Sequence, residues 1–402
     1  MVKIYKTVSV IGLGYIGLPT AALIASKGYT VHGMDVNKAT VDTINRGEIH
    51  IIEPDLDTYV RSAVKNNKLK AFLAVQPADV YIICVPTPFH DDTERPTPNI
   101  DYVRTAAENI APHVKENDIV ILESTSPVGT TKMIQEILKK KGVDISKVYL
   151  AYCPERVLPG RIMSELVENA RVIGGIEPES AAKVACFYRT FVNGEILETQ
   201  AKTAEMCKLI ENSFRDVNIA FANELSILCD KNNVNVWDLI TLANHHPRVN
   251  ILQPGTGVGG HCIAVDPWFL VSDNPEDSRL IKTARNVNDE KPKWVVNKIK
   301  AAAEVKKTKK IACLGLAFKP NIGDLRGSPA ILVVKSLIRD GYEVFCVEPN
   351  IQNHPEYNLV DIEVAIREFD IIALLVNHEE FQSKPIITTL TKKGVLNFCG
   401  PI

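Results

Sequence analysis

The sequence predicts an α/β protein in which two Rossmann-like, doubly wound domains are joined by a long central helix and a helical middle region. Three observations carry this. A strand–helix–strand pattern opens the chain, the same pattern returns after residue 308, and between them residues 203–231 contain neither glycine nor proline. At 402 residues the chain is also too long for one ordinary hydrophobic core.

The first unit reads strand in TVSVIGLG, helix in GLPTAALIASKG and strand in YTVHGMD. Further apolar runs, VYIICVP, DIVILEST and VYLAYCP, alternate with helical segments, which extends a parallel, doubly wound sheet. The turn after the first strand is GLGYIG. Gly12, Gly14 and Gly17 there would let backbone N–H groups and the helix dipole hold a pyrophosphate. A glycine-rich turn without a ligand could carry the same residues, so the fingerprint draws its weight from context. Asp35 lies 18 residues after Gly17, at the end of the next strand. There a carboxylate accepts hydrogen bonds from a ribose diol and repels a 2′-phosphate, which favours NAD over NADP.

VPTPF at 85–89 and ESTSPVGT at 123–130 follow sheet strands, at the carboxyl edge where ligands of such sheets bind. Thr87 and Thr125 can offer hydroxyls to a cofactor or to reacting atoms. Ordinary loop capping by Ser, Thr and Pro explains them equally well.

The glycine-free stretch is expected to form one helix. Met206, Ile210, Phe214, Val217, Phe221, Leu225 and Leu228 repeat along it at helical spacing as an apolar stripe, most simply core or a subunit interface. Lys208, Asn212 and Arg215 fall at i, i+4 and i+7, away from that stripe. A cation with an amide can stabilise a developing oxyanion, and a solvated polar face would have the same spacing.

From residue 308 the pattern returns in KKIACLGLAFKP, SPAILVVKSLIRDG and YEVFCVEPN. DGYEVFCVEPN echoes KGYTVHGMDVN of the first unit, with an acidic residue closing a strand in both. The resulting division is 1–199, 200–300 and 301–402.

Composition excludes several classes. Apolar residues at 46% and charged residues at 23% are those of a fully folding globular chain, and a net charge of −2 supplies no basic field for nucleic acid or an anionic membrane. No run reaches the roughly 20 apolar residues that span a bilayer, and the N-terminus lacks signal-peptide pattern, so a cytoplasmic protein is expected. Nine cysteines without CxxC pairs indicate neither disulfides nor a metal site. Cys84, Cys313 and Cys346 lie in strand-like runs as small hydrophobes. Cys262 differs because it ends PGTGVGGHC. Glycine lets backbone approach a bulky ligand, so this loop suits one wrapped around a substrate with the thiol aimed into it.

GLGYIG, VPTP, ESTSPVGT, YCPERVLPG, KLIENSFRDVNIAFANE, PGTGVGGHC and LAFKPN together resemble the UDP-glucose/GDP-mannose dehydrogenase family along essentially the whole chain. GGHCIAVDPWF and HPRVNILQPG resemble the branch that acts on UDP-N-acetyl-D-mannosamine; a branch acting on UDP-N-acetylglucosamine or another UDP-sugar is the alternative. The resemblance implies a four-electron oxidation of the sugar C6 alcohol to a carboxylate with two NAD+, through a Cys262 thiohemiacetal and thioester. It implies that Lys208, helped by Asn212, acts as general acid/base and oxyanion stabiliser, with Asp266 and Glu155 as candidates for handling the hydrolytic water. Arg156, Val157, Lys208, Asn212, Arg215, His246, Arg248, Gly259, Phe318 and Lys319 correspond to substrate positions. Gly12, Gly14, Tyr15, Ile16, Gly17, Asp35, Thr87, Thr125 and Arg326 correspond to cofactor positions. A homodimer built on the long helix is implied as well, with Arg248 reaching the neighbouring subunit's site.

Local basicity fits an anionic substrate in a nearly neutral protein: Arg156, Lys208, Arg215, Arg248 and Lys319 are all implied to gather around a nucleotide sugar. Two departures from the family pattern stand out. NIGDLRG carries Gly323 and Gly327 where the family has acids, which predicts a more flexible, less charged loop. Thr256 replaces a proline and is expected to loosen the loop before Cys262.

Overall fold

A computed structural model describes residues 5–90, 96–260 and 262–400. The chain forms two compact units, residues 1–210 and 211–402.

In the first unit eight strands build one sheet among the described residues: β1 Thr7–Ile11, β2 Thr30–Met34, β3 Leu69–Phe72, β4 Val80–Ile83, β5 Ile119–Leu122, β6 Tyr149–Tyr152, β7 Arg171–Gly175 and β8 Ile196–Gln200. Their order is β3-β2-β1-β4-β5-β6-β7-β8, parallel except where β7 runs antiparallel to β6. The order reverses between β1 and β4, which makes the carboxyl ends of those strands the crevice where such sheets bind ligands. VYII of β4 and IVIL of β5 are buried throughout, because helices cover both faces of a parallel sheet and leave no solvated side for polar residues. The helix Gly17–Ser26 buries nine of its ten residues, Gly17 through Ala25, against this sheet.

The second unit holds β9 Lys310–Leu314, β10 Glu343–Val347, β11 Asn358–Leu359, β12 Ile372–Leu374 and β13 Leu396–Asn397, all parallel in the order β11-β10-β9-β12-β13. Helix Pro329–Arg339 follows β9 and starts cleanly, with Ser328 accepting from Ala330 N and Pro329 in the first turn. Helices Val236–Ala243, Asp266–Asp273 and Arg279–Lys306 precede this sheet.

The long helix spans Ala201–Lys231. Its apolar stripe is not core: Phe214 is 69% exposed and Phe221 58%, with Met206, Ile210 and Leu228 also open. The buried side is small and polar instead, with Glu205, Lys208, Ser213, Asp216 and Asn223 among its members. Three of those groups are visibly partnered. Glu205 accepts from the amides of Gly129 and Thr131, Asp216 pairs with Arg285, and Asn223 donates to Asn288.

Cys313 and Cys346 are buried in β9 and β10 as expected, whereas Cys84 lies one residue beyond β4 and is half-buried.

Candidate active site

The turn between β1 and the helix Gly17–Ser26 is shaped by glycine where no other residue fits. A Cβ on Gly17 would stand 1.8 Å from Gly12 O, and one on Gly12, at φ +91°, would stand 2.6 Å from Cys84 O. Gly14 faces open space, Tyr15 is 43% exposed, and Ile16 immediately precedes the helix that Gly17 opens, without a side-chain cap. Asp35 closes the far side: its Oδ2 accepts from Leu13 N at 3.0 Å and its Oδ1 from Asn37 N at 2.9 Å. Each oxygen keeps a lone pair, so the carboxylate is oriented yet still able to accept from a diol. Past the ends of β4 and β5 the hydroxyl of Thr87 donates to Thr125 O at 2.7 Å, which brings the two threonine loops together at the same sheet edge. A tight glycine turn, an open helix start and a poised acid suit a dinucleotide.

Below this turn lies a polar cluster that no sequence motif announced. Glu123 is buried and accepts from Tyr188 Oη at 2.5 Å and Cys84 Sγ at 3.1 Å. Burial, then the nearby Glu155, pushes the Glu123 carboxyl up, and burial with Glu123 pushes the Cys84 thiol well up. Glu155 is itself buried; it accepts from Arg156 N at 2.7 Å and forms an ion pair with the fully buried Arg171. Both Glu155 oxygens are therefore engaged by protein. The Arg156 guanidinium donates to Ala170 O, and Val157 packs on the core edge. Arg171 opens the apolar strand RVIGG, and that lone cation in a buried strand was the one sequence signal for the cluster.

In the second unit the glycine loop approaches its neighbours as closely as its composition suggested. A Cβ on Gly259 would meet Gly327 O at 2.4 Å, and one on Gly260, at φ +84°, would meet the Phe318 ring at 2.9 Å. His261 lies outside the described residues. Cys262 is exposed, and its carbonyl accepts from Val265 N at 3.0 Å and Asp266 N at 2.8 Å. That turn feeds the helix Asp266–Asp273, so Asp266 is fixed next to the thiol segment while buried. Its Oδ2 accepts from Asn212 Nδ2 at 2.5 Å. Lys208 lies one turn earlier on the long helix and is 9% exposed; Arg215 is exposed. The expectation that Thr256 loosens the loop is wrong: Thr256 is buried and its hydroxyl donates to Leu375 O at 2.7 Å, a tether that proline cannot make.

His246 Nδ1 accepts from Arg248 N at 3.3 Å in the exposed segment after helix Val236–Ala243. Phe318 and Lys319 follow β9, with Phe318 N donating to Asp324 O at 3.1 Å. Arg326 forms a fork on Asp324, at 2.9 Å from Nε and 2.6 Å from Nη2. Gly323 has a steric cause, since a Cβ there would stand 2.8 Å from Asn350 O, while Gly327 at φ +61° has room but a backbone that favours glycine.

The acid that closes β10, Glu348, is engaged on both oxygens by protein donors, Oε1 accepting from Asn350 N at 3.1 Å. Glu348 Oε2 takes Leu316 N at 2.7 Å, Ala317 N at 3.0 Å and His378 Nε2 at 3.1 Å. Burial opposes its ionisation, but these donors, His378 first, outweigh it and hold the carboxyl at about 2. Because His378 Nδ1 accepts from Asn321 N at 2.9 Å, its Nε2 carries the proton, and the pair braces the loop that bears Phe318 and Lys319.

Comparison with known proteins follows these sites along the chain. Models of the UDP-glucose/GDP-mannose dehydrogenase family match its NAD binding domain at residues 6–192, its central domain at 202–290 and its UDP binding domain at 312–398. A UDP-N-acetyl-D-mannosamine dehydrogenase from Yersinia pestis is 53% identical over 403 residues, covering 94% of this chain and 95% of the relative. An NDP-N-acetyl-D-galactosaminuronic acid dehydrogenase from Ralstonia nicotianae is 52% identical over 392 residues, covering 94% and 92%. Among solved structures, a UDP-D-ManNAc dehydrogenase from Pyrococcus horikoshii superposes with a TM-score of 0.86 at 40% identity, covering 96% of this chain and 92% of that one. The NAD binding model contains the whole glycine turn with Asp35, so the cofactor of this oxidoreductase is NAD. With one family matched in each of its three parts and relatives aligned almost end to end, the chain belongs to the UDP-glucose/GDP-mannose dehydrogenase family.

Proposed function

We propose that this protein oxidises UDP-N-acetyl-D-mannosamine to UDP-N-acetyl-D-mannosaminuronate, consuming two NAD+ per sugar, for surface polysaccharide synthesis. The single observation that carries the chemistry is Cys262, exposed at the end of a close-packed glycine loop, with Asp266 anchored on Asn212 immediately behind it. The sugar rests on the identity to the mannosamine enzymes.

The Gly12–Gly17 turn, with Tyr15, Ile16, Asp35, Thr87, Thr125 and Arg326 as contacts, would hold NAD+, and two NAD+ bound in succession would each take one of the two hydrides lost from C6. The thiolate of Cys262 adds to the C6 aldehyde to give a thiohemiacetal, its alkoxide held by Lys208 and Asn212. Loss of hydride from that carbon leaves a thioester, and water splits it into carboxylate and thiol. A thiohemiacetal gives up hydride readily where an aldehyde does not, which is the reason for the cysteine. Asp266 is the better placed base for the water, because Glu155 has both oxygens committed to Arg156 N and Arg171. Arg156, Val157, Arg215, His246, Arg248, Gly259, Phe318 and Lys319 bind the nucleotide sugar. In this reading residues 1–199 hold NAD, 200–300 serve dimerisation and 301–402 take the nucleotide sugar. The exposed stripe of Phe214 and Phe221 supports a homodimer, and the absence among the described residues of a helix long and apolar enough to cross a membrane agrees with a cytoplasmic enzyme.

The Ralstonia relative keeps a second sugar in view, since it is named for a galactosamine derivative at nearly the same identity. The test is NADH formed per molecule of limiting UDP-N-acetyl-D-mannosamine, run beside UDP-N-acetylglucosamine and UDP-N-acetylgalactosamine. Two NADH from the mannosamine sugar and little from the others supports the reading. One NADH would remove the thioester, and turnover of another sugar in preference would move the substrate.

A further inference from the structure

Within residues 211–402 the end of the long helix, the start of helix Val236–Ala243, the helix Arg279–Lys306 and β13 line a cavity of about 250 Å³ that opens to solvent. Ser226, Asn235, Trp237, Lys291, Trp294 and Phe398 are among its walls. Lys291 is 2% exposed. Its ammonium donates to Ser226 Oγ and, at 3.3 Å, to Asn223 O, and stands 4.1 Å from the centre of the Trp294 ring.

What Lys291 lacks is a counter-charge. The other two deeply buried cations each meet a buried carboxylate, Arg171 with Glu155 and Arg285 with Asp216. Among the described residues Lys291 forms no ion pair, and the carboxylate on the cavity wall, Asp230, is held by Lys298 at 2.8 Å. Burial accordingly pushes the Lys291 amine down to about 7, against the pull of Asp230. Asn235, Val236 and Trp237 at the start of a helix also line the cavity, but Asn235 Oδ1 already accepts from Trp237 N at 2.9 Å and Asp238 N at 3.4 Å and Asp238 lies in the first turn, so Lys291 is the positive group that faces this space. Around this charge the walls are indole and phenyl rings.

We propose that the cavity binds a small organic anion, a carboxylate on a flat apolar body, with the carboxylate on Lys291 and the body against Trp237 and Phe398. The carboxylate supplies the missing counter-charge, and the rings supply the contact area. This site does not rest on the proposed dehydrogenase activity, because binding there is read without turnover.

The test is calorimetric titration of the full-length protein with benzoate as the probe and benzyl alcohol as its uncharged counterpart. Benzoate is expected to saturate a site at least tenfold more tightly than benzyl alcohol. Lys291→Met is expected to weaken benzoate at least tenfold, and Trp237→Ala, on the half-buried rim, at least threefold. Binding should tighten from pH 8 to pH 6 as the amine gains its proton. Asp230 and Cys229 of the long helix line the same cavity and Lys298 pairs with Asp230, so the assignment requires the pH dependence to vanish in Lys291→Met. Equal affinity for the two probes, no saturable binding, or benzoate binding unchanged in Lys291→Met would each overturn the proposal. If Lys291→Met does not fold, the probe pair on the unaltered protein and Trp237→Ala still decide it.

Discussion

Asn212 donates its side-chain amide to Oδ2 of Asp266 across 2.5 Å, tying the long helix to the first residue of the helix that follows Cys262. The bond orients a buried carboxylate that has little water to solvate it, so losing the donor leaves that carboxylate misdirected as well as less well satisfied. Asn212→Ala should lower kcat by about 10²-fold, the usual effect of removing one oriented donor, with a smaller change in KM. Asn212→Asp should be worse, because it sets two carboxylates against each other and raises the pKa of one. Steady-state kinetics of the two variants checks both; wild-type kcat in Asn212→Ala would refute the positioning role.

Cys262→Ala removes the proposed nucleophile but leaves the glycine loop, whose close contacts are made by Gly259 and Gly260. The expected result is loss of acid formation by about 10³-fold or more, with thermal stability unchanged, since an exposed thiol contributes little packing. Full acid formation in this variant, measured by chromatography of the product, would remove the thioester from the mechanism.

Glu348 stabilises the second unit as a carboxylate. Its folded pKa of about 2 lies below its ordinary 4.5, so its contribution is complete above pH 4.5 and is lost as pH falls from about 4.5 towards 2. Glu348→Gln turns an acceptor towards two donor amides as an amide of its own, and should cost about 2–3 kcal/mol in denaturant unfolding at pH 7. Its acid limb should be flatter than that of the wild type. Because Leu316 and Ala317 precede Phe318, the variant should also raise KM for the nucleotide sugar more than it lowers kcat.

These sites differ in how far they were legible before the fold was known. The glycine turn with Asp35, the long helix and the Cys262 loop were readable because local backbone demands fix residue type at short range: glycine for a close approach, an unbroken run for a helix. The buried polar cluster of Glu123, Tyr188, Arg171 and Glu155 was not, since its members come from separate strands and a helix and only the sheet order makes them neighbours. The apolar stripe could be read only as core or interface, and the choice needed the fold. Periodicity reports that a helix has an apolar face, but Asp216, Asn223 and Glu205 could be buried only because distant partners neutralise them, and no local pattern encodes those partners. Thr256 shows the same limit on a smaller scale, its tether being a carbonyl more than a hundred residues away.

Asp216 and Arg285 form a fully buried pair at 2.5 Å, with Asn288 Nδ2 also donating to Asp216 at 2.7 Å. The two partners should not be equivalent on removal. Arg285 also reaches Asp289, half exposed, at 2.8 Å, so Asp216→Asn leaves the cation with a partner, whereas Arg285→Met leaves a buried carboxylate with an amide alone. Arg285→Met should therefore destabilise by about 3–5 kcal/mol and Asp216→Asn by distinctly less. The pH response follows from the folded pKa of Asp216. Burial raises it from 3.8 to about 6, and the attraction of Arg285 opposes that rise, so losing Arg285 raises it further. A folded pKa above the unfolded one means that the ionised carboxylate disfavours folding, and stability is recovered as pH falls through the folded pKa. The deficit of Arg285→Met should accordingly shrink between pH 7.5 and pH 5, as thermal melts at the two pH values can show; a deficit that grows on acidification would mean that Asp216 is not the group left uncompensated.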